Sequence, residues 1–285
     1  MIQSMTGFGK HVIQLPTKKI TVELKSLNSK NLDVIARIPS AYREKELELR
    51  KLIADALERG KVDFSLYVEA NGDETNSEVN DQVVRKYMEQ LGSIVPGDEI
   101  RLLEIAMRMP DVLKTDREDI DETEFEQIRL ALEKALEEIN TFRSEEGKVL
   151  EADFNSRIAN LQSLLSQVKQ MDPERLATIR ERLVKAVADL KAEVDENRFE
   201  QELIYYLEKY DITEEKVRLA NHLDYFTETL NSDDSNGKKL GFISQEIGRE
   251  INTIGSKANY APMQQLVVQM KDELEKIKEQ MLNVL

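Results

Sequence analysis

KITVELKSLNSKNLDVIARIPSAYREKELELRKLIADALERGKVDFSLYV, residues 19–68, is the stretch on which the fold turns. Within it KITVELK (19–25), LDVIARI (32–38) and VDFSLYV (62–68) each alternate. Ile20, Val22 and Leu24, then Leu32, Val34, Ala36 and Ile38, then Val62, Phe64, Leu66 and Val68 fall to one side. A period of two is that of strands with one buried face. SLNSKN, between the first two, reads as a hairpin-like polar turn. Between the second and third, Leu49, Leu52, Ile53 and Leu57 recur at helical spacing, with Ser40 as candidate N-cap and Gly60 as candidate stop. The order strand, strand, helix, strand predicts an α+β N-terminal domain, with His11 on a further strand-like stretch upstream.

The surrounding composition bounds what such a domain belongs to. The chain has 285 residues and 32.8 kDa, 40% hydrophobic and 33% charged, with 6 Pro and 11 Gly. A chain this long buries roughly 75% of its unfolded surface, and the balance excludes disordered and collagen-like classes. No apolar run approaches the ~20 residues that span a bilayer. The opening MIQSMTGFGKHVIQL has neither a basic n-region nor a continuous apolar core, so a cytoplasmic protein without membrane contact is expected. Zero Cys removes disulfides, thiolate metal sites and cysteine nucleophiles, and two His exclude a three-His centre.

Net charge is −15, yet residues 1–61 carry twelve Lys/Arg against seven Asp/Glu, a local balance of +5. Residues 237–259 hold Lys238, Lys239, Arg249 and Lys257 against Glu246 and Glu250, a balance of +2. Local potential decides where a phosphate backbone docks, so two basic stretches in an acidic chain are candidate polyanion contacts.

Beyond a polar loop at 72–81 and two short helical stretches near 81–93 and 98–108, the pattern from Glu122 onward is almost wholly helical. Breaks are expected at Asp172-Pro173 and at NSDDSNG (231–237), with 123–170 and 174–209 as a long helical pair. The expected organisation is therefore an N-terminal α+β domain (1–121), a long helical hairpin or stalk (122–209) and a C-terminal helical domain (210–285). Near the end, Met263, Val267, Met270, Leu274, Ile277, Met281 and Val284 alternate spacings of four and three, the seam of a helix packed on a partner helix in the same chain or another.

The chain has no P-loop, dinucleotide fingerprint, zincin or hydrolase-elbow motif. The informative segment is GKKLGFISQEIGREINTIGSKANY (237–260), where Leu240, Ile243, Ile247, Ile251 and Ile254 form one helical face. On its flank Glu246, Glu250, Thr253 and Lys257 project together, with Arg249 and Ser256 further round. Two carboxylates one turn apart can chelate a hard divalent cation, and Arg and Lys beside them can hold phosphate. His222, on the preceding amphipathic helix, is the better placed of the two histidines for proton transfer near neutral pH.

SMTGFG (4–9), VELKSLNSKNLDV (22–34), RGKVDFSL (59–66), PDVL (110–113), Arg143, Glu146, Gly147 and Leu150 in R-x-x-E-G-x-x-L, and the ending from GKKL through REINTIGSKAN to VVQMKDELEKIKEQMLNV together resemble the YicC/YloC family of bacterial proteins. The resemblance runs from residue 4 to residue 284. It implies an N-terminal YicC-type domain, a C-terminal helical domain, a homo-oligomer that is a hexamer, and a metal-dependent endoribonuclease acting on RNA. The chain departs from the family's more usual residues at Gly241, Gly248 and Tyr260. Glu246, Arg249, Glu250, Asn252, Thr253, Ser256 and Lys257 are retained.

On the enzyme reading, Glu246 and Glu250 hold Mn or Mg and, with His222, form the catalytic group. Arg249, Asn252, Thr253, Ser256 and Lys257 then contact RNA, joined by Lys25 and Lys30 beside the expected hairpin turn. Hydrolysis and attack by the RNA 2'-OH both remain open. The alternative is a noncatalytic RNA-binding or scaffold protein. Lys25→Ala with Lys30→Ala is expected to weaken RNA binding and flatten its salt dependence, since each lost phosphate contact lowers the slope by about one. An unchanged slope in a salt titration of binding would rule the two lysines out.

Overall fold

The computed structural model describes residues 2–70, 78–95, 97–114, 121–189, 195–232 and 237–285. The central part of the 72–81 loop and of NSDDSNG lies outside these. Strands β1 (Gly7–Gln14), β2 (Lys18–Leu27), β3 (Leu32–Arg37) and β4 (Gly60–Ala70) form one sheet in the order β1-β2-β4-β3. β2 is antiparallel to both neighbours, and β3 runs parallel to β4. Ile20, Val22, Leu24, Val62, Phe64 and Leu66 are buried on one face, against Leu49 and Ile53 of α1 (Glu46–Ala56).

The α+β class is thus as expected, but the hairpin is not where SLNSKN places it. β2 and β3 do not pair, because β4 lies between them. β3, α1 and β4 make a crossover unit whose strands are parallel neighbours. With β4 inserted between β2 and β3, its buried Val62, Phe64 and Leu66 sit on a strand with a neighbour on each side. The hairpin is formed instead by β1 and β2, closed by Leu15 N–H on Lys18 O at 2.8 Å. β1 is the strand-like stretch expected around His11, and two of its inward positions are glycines. A Cβ on Gly9 would lie 2.1 Å from the Ala135 carbonyl oxygen, and one on Gly7 2.7 Å from the Ile139 side chain.

Two boundaries of the expected helix also differ. Ser40–Lys45 is a 3₁₀ turn, so Ser40 opens that turn rather than α1. Gly60 starts β4 at φ +125°, packed on Ser26 and the Leu27 carbonyl, and α1 has already ended at Ala56. The two short helices appear as α2 (Asp81–Ile94) and α3 (Glu99–Ala106), sharing a small core of Val84, Ala106 and Val112.

Helix α4 (Glu122–Asp189) runs for 68 residues, about 100 Å at the α-helical rise. Its first part (Phe125, Ile128, Leu132, Ala135, Ile139) closes the sheet core. From Leu150 to Val168 it belongs to a second core, with α6 (Thr213–Leu230), α7 (Gly237–Ala258) and α8 (Ala261–Met281). The break expected at Asp172-Pro173 does not occur. A proline inside a helix costs about 3 kcal/mol, and here the flanking residues are tied into a buried network. Arg175 donates to Asp172 at 2.7 Å and to the Tyr210 carbonyl at 2.9 Å, while Lys216 meets Asp172 at 2.5 Å. α5 (Glu196–Lys209) follows α4.

The heptad seam is filled within the chain. Met263, Val267, Met270, Leu274 and Ile277 are buried in the core that α8 shares with α7 and α4. Val284 lies past the end of α8 and pairs with Ser4. No helix among the described residues is long and apolar enough to cross a membrane.

The two cores meet where both chain ends cross α4. Ser4 N–H donates to the Arg143 carbonyl at 3.0 Å, Met5 N–H to the Asn283 carbonyl at 2.7 Å, and Leu285 N–H to the Gln3 carbonyl at 2.9 Å. Thr6 donates to Glu146 at 2.6 Å, and Arg59 to the Val284 carbonyl at 2.6 Å. A Cβ on Gly147 would stand 2.2 Å from the Ile2 carbonyl oxygen. Gly147→Ala is therefore expected to cost about 1–3 kcal/mol through forced separation of the two segments. At Gly241 nothing lies within 4 Å of an added Cβ, and Gly241→Ala should be neutral or stabilising by up to about 1 kcal/mol. Urea unfolding of the two variants checks the contrast, and equal midpoints would refute it.

Candidate functional site

α6 and α7 run antiparallel and in contact, and two side-chain contacts set their relative position. Lys257, near the C-terminal end of α7, meets Glu215, near the start of α6, at 2.7 Å. At the other end the Lys239 ammonium sits over the Tyr225 ring, 4.8 Å from its centroid. Residues spaced three, four and seven apart share a helix face. Glu215 and Tyr225 of α6 therefore face Lys257 and Lys239 of α7; His222 lies between the two α6 residues on the same helical spacing, Glu246, Glu250 and Thr253 lie between the two lysines, and Arg218 pairs within α6 with Glu214 at 2.5 Å. A polar seam results beside the apolar stripe of Leu240, Ile243, Ile247, Ile251 and Ile254, all buried.

The two candidate metal ligands have different surroundings. The Glu246 side chain is 49% exposed and stands 3.9 Å from Arg249, itself 73% exposed. Glu250 is buried, at 4% exposure, and has no hydrogen bond or ion pair among the described residues. Its carboxylate oxygens are not among the fully covered, unpartnered ones, so the tip of the side chain keeps a narrow contact with solvent. No group of three His, Asp, Glu or Cys side chains converges among the described residues. A divalent cation here would thus rest on two carboxylates, the arrangement Mg²⁺ commonly takes when phosphate oxygens and water complete its shell. Glu246 and Glu250, one turn apart on α7, are the carboxylates that would be available to such an ion.

The remaining predicted residues are placed as follows. His222 is half-buried on α6, between Glu215 and Tyr225. Thr253 donates its hydroxyl to the Arg249 carbonyl at 3.1 Å and Ser256 to the Thr253 carbonyl at 2.9 Å, so both present lone pairs outward and not protons. Asn252 is exposed on the outer flank. Lys25 and Lys30 are not on the seam but in the sheet lobe, on β2 and on the link that follows it. The Lys25 ammonium pairs with Glu23 at 2.5 Å and lies 5.8 Å from the Phe8 ring centroid. Its hydrogen bond to Glu23 raises its pKa above the ordinary lysine value.

Glu215 was not among the predicted site residues. It is 6% exposed; one carboxylate oxygen holds Lys257 and the other is buried without a partner. The signal lay in the stripe Leu219, Leu223, Phe226, Leu230, which, extended four residues back, meets a carboxylate where an apolar side chain belongs. Arg175 of α4 also bears on the seam, donating to the carbonyls of Lys257 at 3.3 Å and Ala258 at 3.4 Å and so holding the end of α7.

Residues 2–152 match the family described as endoribonuclease YicC-like, N-terminal region, and residues 168–285 match endoribonuclease YicC-like, C-terminal. A protein of Clostridioides difficile (strain 630) named "Probable endoribonuclease YicC" is 33% identical over 293 residues, covering 100% of both chains. One of Haemophilus influenzae with the same name is 29% identical over 289 residues, again covering 100% of both.

Removing the Lys257 charge would leave Glu215 buried and uncompensated. Lys257→Met is expected to destabilise the chain by about 1–3 kcal/mol, and adding Glu215→Gln should recover part of that loss. A double-mutant cycle by denaturant unfolding measures the coupling, and strictly additive effects would deny that the pair sets the seam.

Proposed function

The chain belongs to the YicC-like endoribonuclease family, and we propose that it cuts RNA at the α6–α7 seam, with Glu246, Glu250 and His222 as its catalytic group. The observation that carries this placement is Glu250, 4% exposed as a residue and without a hydrogen-bond or ion-pair partner among the described residues, on the stretch of α7 between its two contacts to α6, Lys239 to Tyr225 and Lys257 to Glu215. Natural proteins leave a buried charge unpaired where a ligand or reaction uses it.

Cleaving a phosphodiester requires charge stabilisation on the nonbridging oxygens and movement of protons to and from the entering and leaving oxygens. Arg249, mostly exposed, is free to reach a phosphate oxygen from the outer flank of α7. Lys257 keeps one contact to Glu215 and has two further N–H groups to offer. His222 is the imidazole on α6 that would give and take the protons. Asn252 can donate or accept, whereas Thr253 and Ser256, as they stand, can accept from a ribose hydroxyl.

Glu246 and Glu250 would hold a divalent ion, Mg²⁺ or Mn²⁺. When bound, that ion supplies positive charge beside the phosphate. Lys25 and Lys30 are read as secondary phosphate contacts in the sheet lobe, where the N-terminal excess of positive charge lies. The assembly implied by the family resemblance, a hexamer, is part of the same proposal. It is supported by apolar side chains left open on the distal helices, Val184 at 45%, Ile204 at 57% and Tyr205 at 60% exposure.

Glu250→Gln keeps size and helix propensity and is expected to lose most RNA cleavage with folding and particle mass unchanged. His222→Ala should lower the rate by about 10²-fold or more. Cleavage assays with added Mg²⁺ or Mn²⁺, run on preparations whose mass is read by light scattering, test both. A wild-type rate in Glu250→Gln at saturating metal would overturn the site, and a wild-type mass near 32.8 kDa would overturn the hexamer.

A further inference from the structure

Alongside the seam, the outer face of α7 carries an aromatic side chain for which the fold has no use. Phe242 is 58% exposed, one helical turn before Glu246 and two before Arg249. Among the described residues its ring has neither an aromatic nor a cationic partner. One turn further back, Lys239 is held over the Tyr225 ring, which is 44% exposed. A lysine stem restrained in this way presents its ammonium at a defined place and loses less entropy on meeting a phosphate. Around these rings the positive side chains of α7 outnumber its acids, while the exposed Asp224 and Glu228 flank Tyr225 on α6. Lys238, Lys239, Arg249 and Lys257 stand outside the apolar stripe of α7, where Glu246 is the exposed carboxylate.

Cations interleaved with uncovered aromatic rings form the surface that takes single-stranded nucleic acid: the cations follow the backbone and the rings stack on bases. Inside a duplex the base faces are already stacked on each other, so a side chain can reach one only where the strand is unpaired. We propose that Phe242 is a stacking platform for an unpaired RNA base next to the cleaved phosphodiester, with Lys239, poised on Tyr225, holding the adjoining phosphate. The enzyme then selects single-stranded RNA through this contact. The inference rests on the reading of the α6–α7 seam as the cutting site, and it adds the substrate class and a specificity-determining residue.

The test uses the full chain and a twelve-nucleotide unstructured RNA carrying 2-aminopurine, offered alone and annealed to its complement, with binding followed in chelator and cutting in Mg²⁺ or Mn²⁺. Wild type is expected to quench the fluorescent base and to prefer the single strand. Phe242→Leu should lose the quench and weaken single-strand binding by about tenfold, leaving duplex binding and particle mass as they were. Phe242→Tyr, which keeps a stacking ring, should restore both. Tyr225→Leu should weaken binding less and reduce the salt dependence by freeing Lys239.

Unchanged quenching in Phe242→Leu, or an equal loss for single strand and duplex, would overturn the proposal. So would a change of particle mass, which would assign the ring to contact with a second copy. The two readings fail separately. A quench that depends on Phe242 while Glu250→Gln cuts normally would keep the platform and reject the cutting site. Cutting lost in Glu250→Gln with no quench in wild type would do the reverse.

Discussion

The guanidinium of Arg143 is buried where both ends of the chain cross the long helix, and the arrangement of the two lobes depends on it. Its acceptors are neutral: the Ser26 hydroxyl at 2.5 Å and the carbonyls of Met5 at 3.2 Å and Arg59 at 3.4 Å. With no carboxylate beside it among the described residues, burial pushes its pKa below the ordinary arginine value. A charge this poorly compensated is tolerated only where several segments must be held at once. Here the segments are the N-terminal strand, the β2 and β4 edges and, through Arg59, the C-terminal tail. Glu146 and Gly147, on the same turns of α4, complete the junction: one accepts from Thr6 and the other leaves room for the backbone at Ile2.

From that crossing α4 serves two cores in succession and sets the geometry of the α6–α7 seam. Its Asp172 and Arg175 reach Lys216 of α6 and the last carbonyls of α7. The end of the seam at which Glu215 meets Lys257 is therefore pinned by a third helix. The other end has the looser Lys239–Tyr225 contact and is open to solvent. The seam thus passes from a buried ion pair at one end to exposed rings and lysines at the other. A charge of −15 is compatible with an RNA substrate because residues 1–61 and 237–259 carry local excesses of positive charge.

Much of this organisation could be read from local pattern. Alternation marked β2, β3 and β4, the period of the Ile stripe marked α7, and the steps of four and three marked α8. The flank of α7 put Glu246, Glu250 and Lys257 on one side before any tertiary contact was known. Where local reading failed, another part of the chain had changed the meaning of a residue. The strand around His11 was legible, but its packing was not, because the α4 backbone occupies the space that side chains at Gly7 and Gly9 would fill. Pro173 looked like a helix end because its cost is local while its compensation, at Lys216 and Tyr210, is forty residues away. Glu215 looked like a surface acid until α7 brought Lys257 against it.

Sequence by itself determined the α+β class, the helical character of everything beyond Glu122, the faces of α7 and α8, and the family to which the motifs point. All of these are set by periodicity and residue type over short windows, where backbone geometry alone relates neighbours. Only the tertiary structure decided that β4 separates β2 from β3, that the α8 seam closes within the chain, that Glu250 is buried unpaired while Glu246 is open, and that Lys25 and Lys30 lie apart from the seam. These depend on contacts between residues far apart in the chain, whose free energy is set by burial and by which partner each polar group finds. No single window of sequence contains that information.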